Sequence, residues 1–234
     1  MIRLFVIAAL LLAQQALDGG GIEGTVTRRV TGEPIFGVRV TLSAVTTAGP
    51  RGSTPNQTEP IASTDSQGRF AFAQIPPGSY RLIFSRNGYV REQFGINVTS
   101  RQIVRGSLQM TPTAVVTGRV HDVVGAPAVG VPVELVRLAE DAKGNKTLQR
   151  VASVRTDDHG EYRLFYISPG HYFVRANTPG PLSNVMAPGL SPNPFALSFD
   201  ATFYPAAADV MQAVPIDLAP DAELNGIDIA VRLR

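Results

Sequence analysis

Thr64-Asp-Ser-Gln-Gly-Arg-Phe70 and, 92 residues later, Thr156-Asp-Asp-His-Gly-Glu-Tyr162 are two versions of one phrase. In each, an Asp two or more residues ahead of a Gly predicts a tight turn. The carboxylate caps the turn's backbone amides, the Gly takes positive φ, and the aromatic that follows enters a core. A chain that turns in this way twice, at a fixed spacing, is built from a repeated β unit.

The repetition extends in both directions. Ile75-Pro-Pro-Gly-Ser-Tyr80 is matched by Ile167-Ser-Pro-Gly-His-Tyr172, with no gap from the preceding phrase. Upstream, Ile22-Glu-Gly-Thr-Val26 corresponds to Val116-Thr-Gly-Arg-Val120, and Gly32-Glu-Pro-Ile-Phe-Gly37 to Gly125-Ala-Pro-Ala-Val-Gly130. Val38, Val40 and Leu42 alternate with Arg39 and Thr41, as Val131, Val133 and Leu135 do with Pro132 and Glu134. That period of two puts one apolar face inward and the intervening side chains outward. Pro132 within the pattern predicts an edge strand or a bulge. After each Pro-Gly turn, Tyr80, Leu82 and Phe84, or Tyr172, Val174 and Ala176, form the next inward row. Leu135 to Val154, with Glu140, Asp141, Lys143 and Lys146 among its charged residues, reads as a polar hairpin extension. Each copy therefore predicts about seven short strands in a Greek-key sandwich.

The order of these motifs resembles the carboxypeptidase regulatory-like domain, a prealbumin/transthyretin-like sandwich grouped with carbohydrate-binding-like folds. Gly24-Thr-Val, Pro34 to Leu42, Thr64 to Phe72 and Ile75 to Tyr80 carry the resemblance, with their second-copy equivalents. It implies an all-β chain of two tandem sandwiches that is not itself catalytic. The domain boundaries read as a signal peptide over 1–16, a first sandwich over 17–111 and a second over 112–234. The second copy departs from the pattern by an insertion over 177–213, rich in Pro, Gly and aromatic residues, before Val214 to Leu218 and a final strand over Gly226 to Leu233.

The leader is read from Arg3, the apolar run Leu4 to Ala13 and Ala16, after which cleavage is expected. Such a run spans only about 15 Å as a helix, half of a bilayer's hydrocarbon, so no membrane span is expected in the mature chain. The chain has 22 glycines and 18 prolines, which suits many turns and short strands rather than long helices. Its formal net charge of +2 draws neither nucleic acid nor anionic lipid. No cysteine is present, which removes disulfides, thiolate metal sites and cysteine nucleophiles.

Candidate chemistry is sparse. His121, His159 and His171 accompany no Gly-x-Ser-x-Gly elbow and no His-Glu-x-x-His pair, so neither a catalytic set nor a cofactor is expected. Asp157 and Asp158 are suitable hard ligands for calcium, although turn capping accounts for both, and no metal is expected. A pilin-like sandwich of similar topology carries a Lys–Asn cross-link, but the only lysines, Lys143 and Lys146, lie in the hairpin and not on a first or last strand. Phe195, Phe199, Phe203 and Tyr204 form the candidate binding patch, for stacking on sugars or docking a protein; the competing reading packs them against the sandwich edge. Together these features predict an exported module, periplasmic, outer-membrane-associated or secreted. Its loops would hold an envelope or extracellular protein or, alternatively, a polysaccharide.

Overall fold

A computed structural model of the chain describes residues 19–45, 59–140, 144–177 and 200–232. The leader expected over 1–16 lies outside them. The chain divides between Pro112 and Thr113 into two units. The described residues are strands and turns, with one 3-10 turn at Val210–Gln212 and no α-helix.

The first unit has seven strands: β1 (Gly20–Arg28), β2 (Arg39–Ala44), β3 (Ile61–Ser63), β4 (Arg69–Ile75), β5 (Gly78–Ser85), β6 (Glu92–Val98) and β7 (Ile103–Met110). They form a three-stranded sheet, β4-β1-β7, and a four-stranded sheet, β3-β2-β5-β6. β7 runs parallel to β1, and the other pairings are antiparallel. The alternating residues read from the sequence supply the core: Val38, Val40 and Leu42 from β2 and its approach, Phe70 and Phe72 from β4, Leu82 and Phe84 from β5.

The chain crosses between the sheets from β1 to β2 and again from β3 to β4, and one threonine fastens the two crossings together. The buried Thr64 hydroxyl accepts from Val38 N–H at 2.8 Å and donates to the Ile35 carbonyl at 2.6 Å. Asp65 then caps the turn: its Oδ1 accepts from the amides of Gln67 and Arg69, both at 2.9 Å. The Arg69 amide above all holds this carboxyl below its usual range. Gly68 has φ +71°, and a Cβ there would stand 2.4 Å from the Val26 carbonyl, so the turn requires glycine. The second unit repeats each bond: Thr156 Oγ1 with Val131 N and Ala128 O at 2.9 and 2.6 Å, and Asp157 Oδ1 with the amides of His159 and Glu161 at 2.9 and 2.8 Å.

The second unit starts the same way, with β8 (Ala114–Asp122), β9 (Pro132–Glu140), β10 (Lys146–Arg155), β11 (Glu161–Ile167) and β12 (Gly170–Ala176). Its last strands are broken: β13 (Thr202–Phe203) and β14 (Ile216–Leu218) share one edge of β12, while β15 (Glu223–Leu224) and β16 (Ile229–Val231) share one edge of β8. The sequence predicts a single final strand from Gly226; instead Asn225 to Asp228 bulges between β15 and β16. Side-chain and backbone bonds hold the bulge, among them one from the Thr117 hydroxyl to Asn225 Oδ1 at 2.5 Å. Asp228 Oδ1 accepts from Arg119 N at 2.8 Å, Ile227 N donates to the Thr117 carbonyl at 3.0 Å, and the buried Tyr162 hydroxyl donates to the Ile227 carbonyl at 2.6 Å. Burial, with Asp228 adding to it, pushes the Tyr162 phenol up, so it remains a donor. A Cβ on Gly118 would stand 2.1 Å from the Ile227 oxygen.

Two outward residues of β9 depart from expectation. Pro132 lies on neither an edge strand nor a bulge. It is the first residue of β9, a strand between β10 and β12, where its missing N–H interrupts no ladder. Glu134 points away from the core yet is buried, because Arg175, Arg150 and Asn177 close over it. Arg175 Nε and Nη2 donate at 2.8 and 2.7 Å, and Arg150 Nη1 at 3.2 Å. Burial raises the Glu134 pKa, but the bonds and charges of Arg175 and then Arg150 outweigh it and hold the group below its usual 4.5.

Two outcomes follow for stability. Thr64→Val, which keeps the shape but strands a buried donor and acceptor, costs roughly 2–4 kcal/mol by denaturant titration, whereas Asp65→Asn, which keeps an acceptor on an exposed turn, moves the midpoint far less. Because the Glu134 pKa is depressed in the folded chain, its contribution is present above the unfolded pKa and disappears as pH falls through the lower, folded value. Glu134→Gln, which removes a charge held by two arginines, costs roughly 1.5–3 kcal/mol at pH 7, and the difference in melting temperature from the parent shrinks as pH falls through the folded-state value, below 4.5.

Candidate binding groove of the first unit

Phe70, Phe84 and Phe94 lead outward from the first core as a run of edge-to-face rings. Phe70 and Phe84 are 5.5 Å apart at 75°, Phe84 and Phe94 6.2 Å apart at 66°. The inner pair is buried, but Phe94 is 46% exposed although its row on β6, with Ile96 and Val98, faces the core side. The rings emerge because β6 and β7 are the terminal strands of their sheets on the same side of the sandwich, and among the described residues neither has a strand on its other edge. A groove of about 560 Å³ opens between them. Leu82, Ile96 and Leu108 line it, and Gly106 deepens it: a Cβ there would meet nothing within 4 Å. Arg29 and the ion pair of Arg105 Nε with Glu23 Oε2, at 3.1 Å, lie at its lip.

The second unit fills the same place from its own chain. Register pairs Ile96 with Ile216 and Leu108 with Ile229, since each pair faces equivalent residues of β5 and β12 or of β1 and β8. Ile96 and Leu108 are only partly buried, whereas Ile216 and Ile229 are 5% and 0% exposed. The difference is the chain between β13 and β14. Tyr204 N–H donates to the Val174 carbonyl at 2.8 Å, so Tyr204 occupies the station of Phe94, and the next residue turns across to the other sheet. There the Pro205 carbonyl accepts from Ala230 N–H at 3.0 Å, and the chain returns to β14 only at Ile216. In the first unit the corresponding connection is the single residue Gly95.

The residues proposed from sequence as a binding patch fall differently. Phe195 and Phe199 lie outside the described residues. Phe203 is 5% exposed and pairs in β13 with Arg175, whose guanidinium sits 5.9 Å from its ring centre; Tyr204 is partly buried against the second core. Both contact side chains of their own unit. Sequence reasoning missed Phe94, whose only signal was its place in the Phe94, Ile96, Val98 alternation. It also missed Phe165 and Tyr166, an exposed edge-to-face pair 4.9 Å apart. Tyr166 has φ +60° at a bulge in β11, as Gln74 has φ +57° in β4, and this turns two consecutive rings outward.

No catalytic geometry accompanies the groove. His121 Nδ1 bonds the Asp122 carbonyl at 2.8 Å, His159 pairs with Asp158 at 2.9 Å, and exposed His171 pairs with Asp217 on β14; among the described residues no hydroxyl nucleophile meets an imidazole. Asp157, Asp158 and His159 could together offer oxygen and nitrogen to a metal, but they are fully exposed and Asp157 Oδ1 is already engaged by two amides. The groove's apolar lining suits an apolar guest, and its volume falls within the range of ligand pockets.

With the geometry in place, the relatives can be compared. Residues 21–111, which span the first unit, match the family model described as the carboxypeptidase regulatory-like domain. No curated protein matches the chain. Among solved structures, GBS52, the minor pilin of Streptococcus agalactiae, is 14% identical with a TM-score of 0.48, over 92% of this chain and 96% of its own. A streptococcal ancillary pilin is 16% identical, TM-score 0.45, and the Bacillus anthracis TIE protein 13%, TM-score 0.36. This chain spans 62% of the length of the former and 34% of the latter.

The open apolar groove is expected to make the native chain enhance the fluorescence of anilinonaphthalene sulfonate. Gly106→Leu, which has room for its side chain, reduces that enhancement at least twofold with the melting temperature held within a few degrees, whereas Gly95→Ser does not reduce it.

Proposed function

We propose that the protein is an exported, non-catalytic interaction module of the bacterial cell envelope or exterior, and that it binds a protein partner through the first-unit groove. One observation carries the reading: positions that the second unit buries under its own chain are left half-open in the first. An apolar groove beside two free strand edges is costly to leave in water and invites association. The turn-clamped sandwich holds the groove rigid, so binding requires little ordering of the protein itself. The carboxypeptidase regulatory-like match over the first unit and the apolar run at Leu4 to Ala13 both support a passive exported role. The second unit is read as a divergent copy whose insertion closes its own groove.

The test combines location with capture. The full chain, expressed in a Gram-negative host, is expected in the periplasmic or outer-membrane fraction or the medium, trimmed near Ala16. Immobilised mature chain is expected to retain a defined envelope protein, and Gly106→Leu to lower that retention at least tenfold. Retention equal in the parent and Gly106→Leu would remove the groove from the function. Saturable polysaccharide binding lost on Phe165→Ala would favour the alternative ligand class.

A further inference from the structure

The first-unit groove presents backbone as well as side chains. Along β7 the carbonyls of Gln102 and Met110 accept from Gly21 and Arg29, which fixes the even-numbered residues as those bonded to β1. In a parallel strand the intervening residues turn their N–H and C=O the other way. Gln109 therefore directs its N–H over the groove mouth. Its counterpart in the second unit is Ala230: Gln109 faces Thr27 of β1, and Ala230 faces His121 of β8. The Ala230 N–H points the same way, and there it is taken by the Pro205 carbonyl.

From this correspondence we infer that the first-unit groove receives an extended apolar segment of a partner protein, which lies along the free edge of β7 and accepts a hydrogen bond from Gln109 N–H. The second unit shows the chemistry of such an occupant in its own covering chain, Phe203-Tyr-Pro-Ala-Ala207: the Pro205 carbonyl for the strand edge and the Tyr204 ring for the apolar core, while Phe203 lies on the other face beside Arg175. The first unit has the same floor, Ile96 and Leu108, and a larger space, because Gly106 contributes no side chain. Strand addition of this kind takes affinity from main-chain bonds and selectivity from the side-chain pocket beneath. A polysaccharide has no comparable row of amide groups to offer a strand edge. The inference rests on the binding reading above and specifies its partner.

The probe is a synthetic peptide copying residues 202–208, Thr-Phe-Tyr-Pro-Ala-Ala-Ala, added to the full mature chain. Amide hydrogen exchange is expected to find Ala230 protected and Gln109 fast in the free chain, with Gln109 slowed at least tenfold by saturating peptide. Gln109→Pro removes only an N–H that the sheet does not use, and an edge strand tolerates it. It is expected to keep the melting temperature and lower peptide affinity at least tenfold. Gly106→Leu, which fills the floor, is expected to do the same, and a peptide with Ala in place of both aromatics to bind at least tenfold more weakly than the parent peptide. Unchanged Gln109 exchange at saturating peptide, or full affinity in Gln109→Pro, would overturn the strand-edge inference. If partner retention were still sensitive to Gly106→Leu in that case, the binding role would stand with a different mode. Insensitivity of both peptide and partner to Gly106→Leu would remove the two together.

Discussion

The hydroxyl of one buried threonine in each unit, Thr64 or Thr156, is the constraint on which the rest depends. A two-sheet sandwich made from a single chain must pass from sheet to sheet, and each passage leaves backbone groups that neither ladder satisfies. Here two passages run side by side, and a single side chain serves both by accepting from one backbone and donating to it three residues earlier. The Asp that follows satisfies two more amides, and the Gly lets the chain turn against the β1 or β8 carbonyl. Once this end of the sandwich is closed, the strands leaving it are fixed in register and their alternating side chains must meet in the middle.

Most of that was legible in the residues. The repeated Thr-Asp-x-x-Gly and Pro-Gly phrases placed the turns, and the period of two in Val38 to Leu42 and Val131 to Leu135 placed the inner rows. What failed did so for physical reasons that a linear pattern does not contain. Alternation assigns Glu134 to the outside but says nothing of two arginines and an asparagine arriving from β10, β12 and the residue after β12 to bury it. Pro132 reads as an edge signal only if its place within the strand is unknown; at the first residue its lost donor is irrelevant. The break between β15 and β16 depends on a one-residue surplus relative to β8, which appears only when the two strands are laid side by side.

The groove of the first unit was less visible still. Aromatic residues near Pro and Asn in the insertion read as a ligand patch; of these, Phe203 is buried beside Arg175 and Tyr204 packs partly against the second core. The residue that reaches solvent, Phe94, is unremarkable in sequence, an inward position on an ordinary strand. Its exposure comes from what is missing beside it: the first unit spends one glycine where the second spends the eleven residues from Pro205 to Pro215. Absence of a covering segment is a comparison between copies, not a motif.

The bulge at Asn225 to Asp228 also bears on how the two units can exchange parts. Phe70 and Tyr162 occupy the same station, and so do Gly24 and Gly118, but only the second unit carries the displaced Ile227 carbonyl that the tyrosine hydroxyl answers. A phenyl placed at Tyr162 would leave the Ile227 carbonyl without its donor. The Tyr162 ring, the glycine opposite it and the extra residue in the last strand thus act as one set, and a chimera that swaps single strands between the units separates groups that bond to one another.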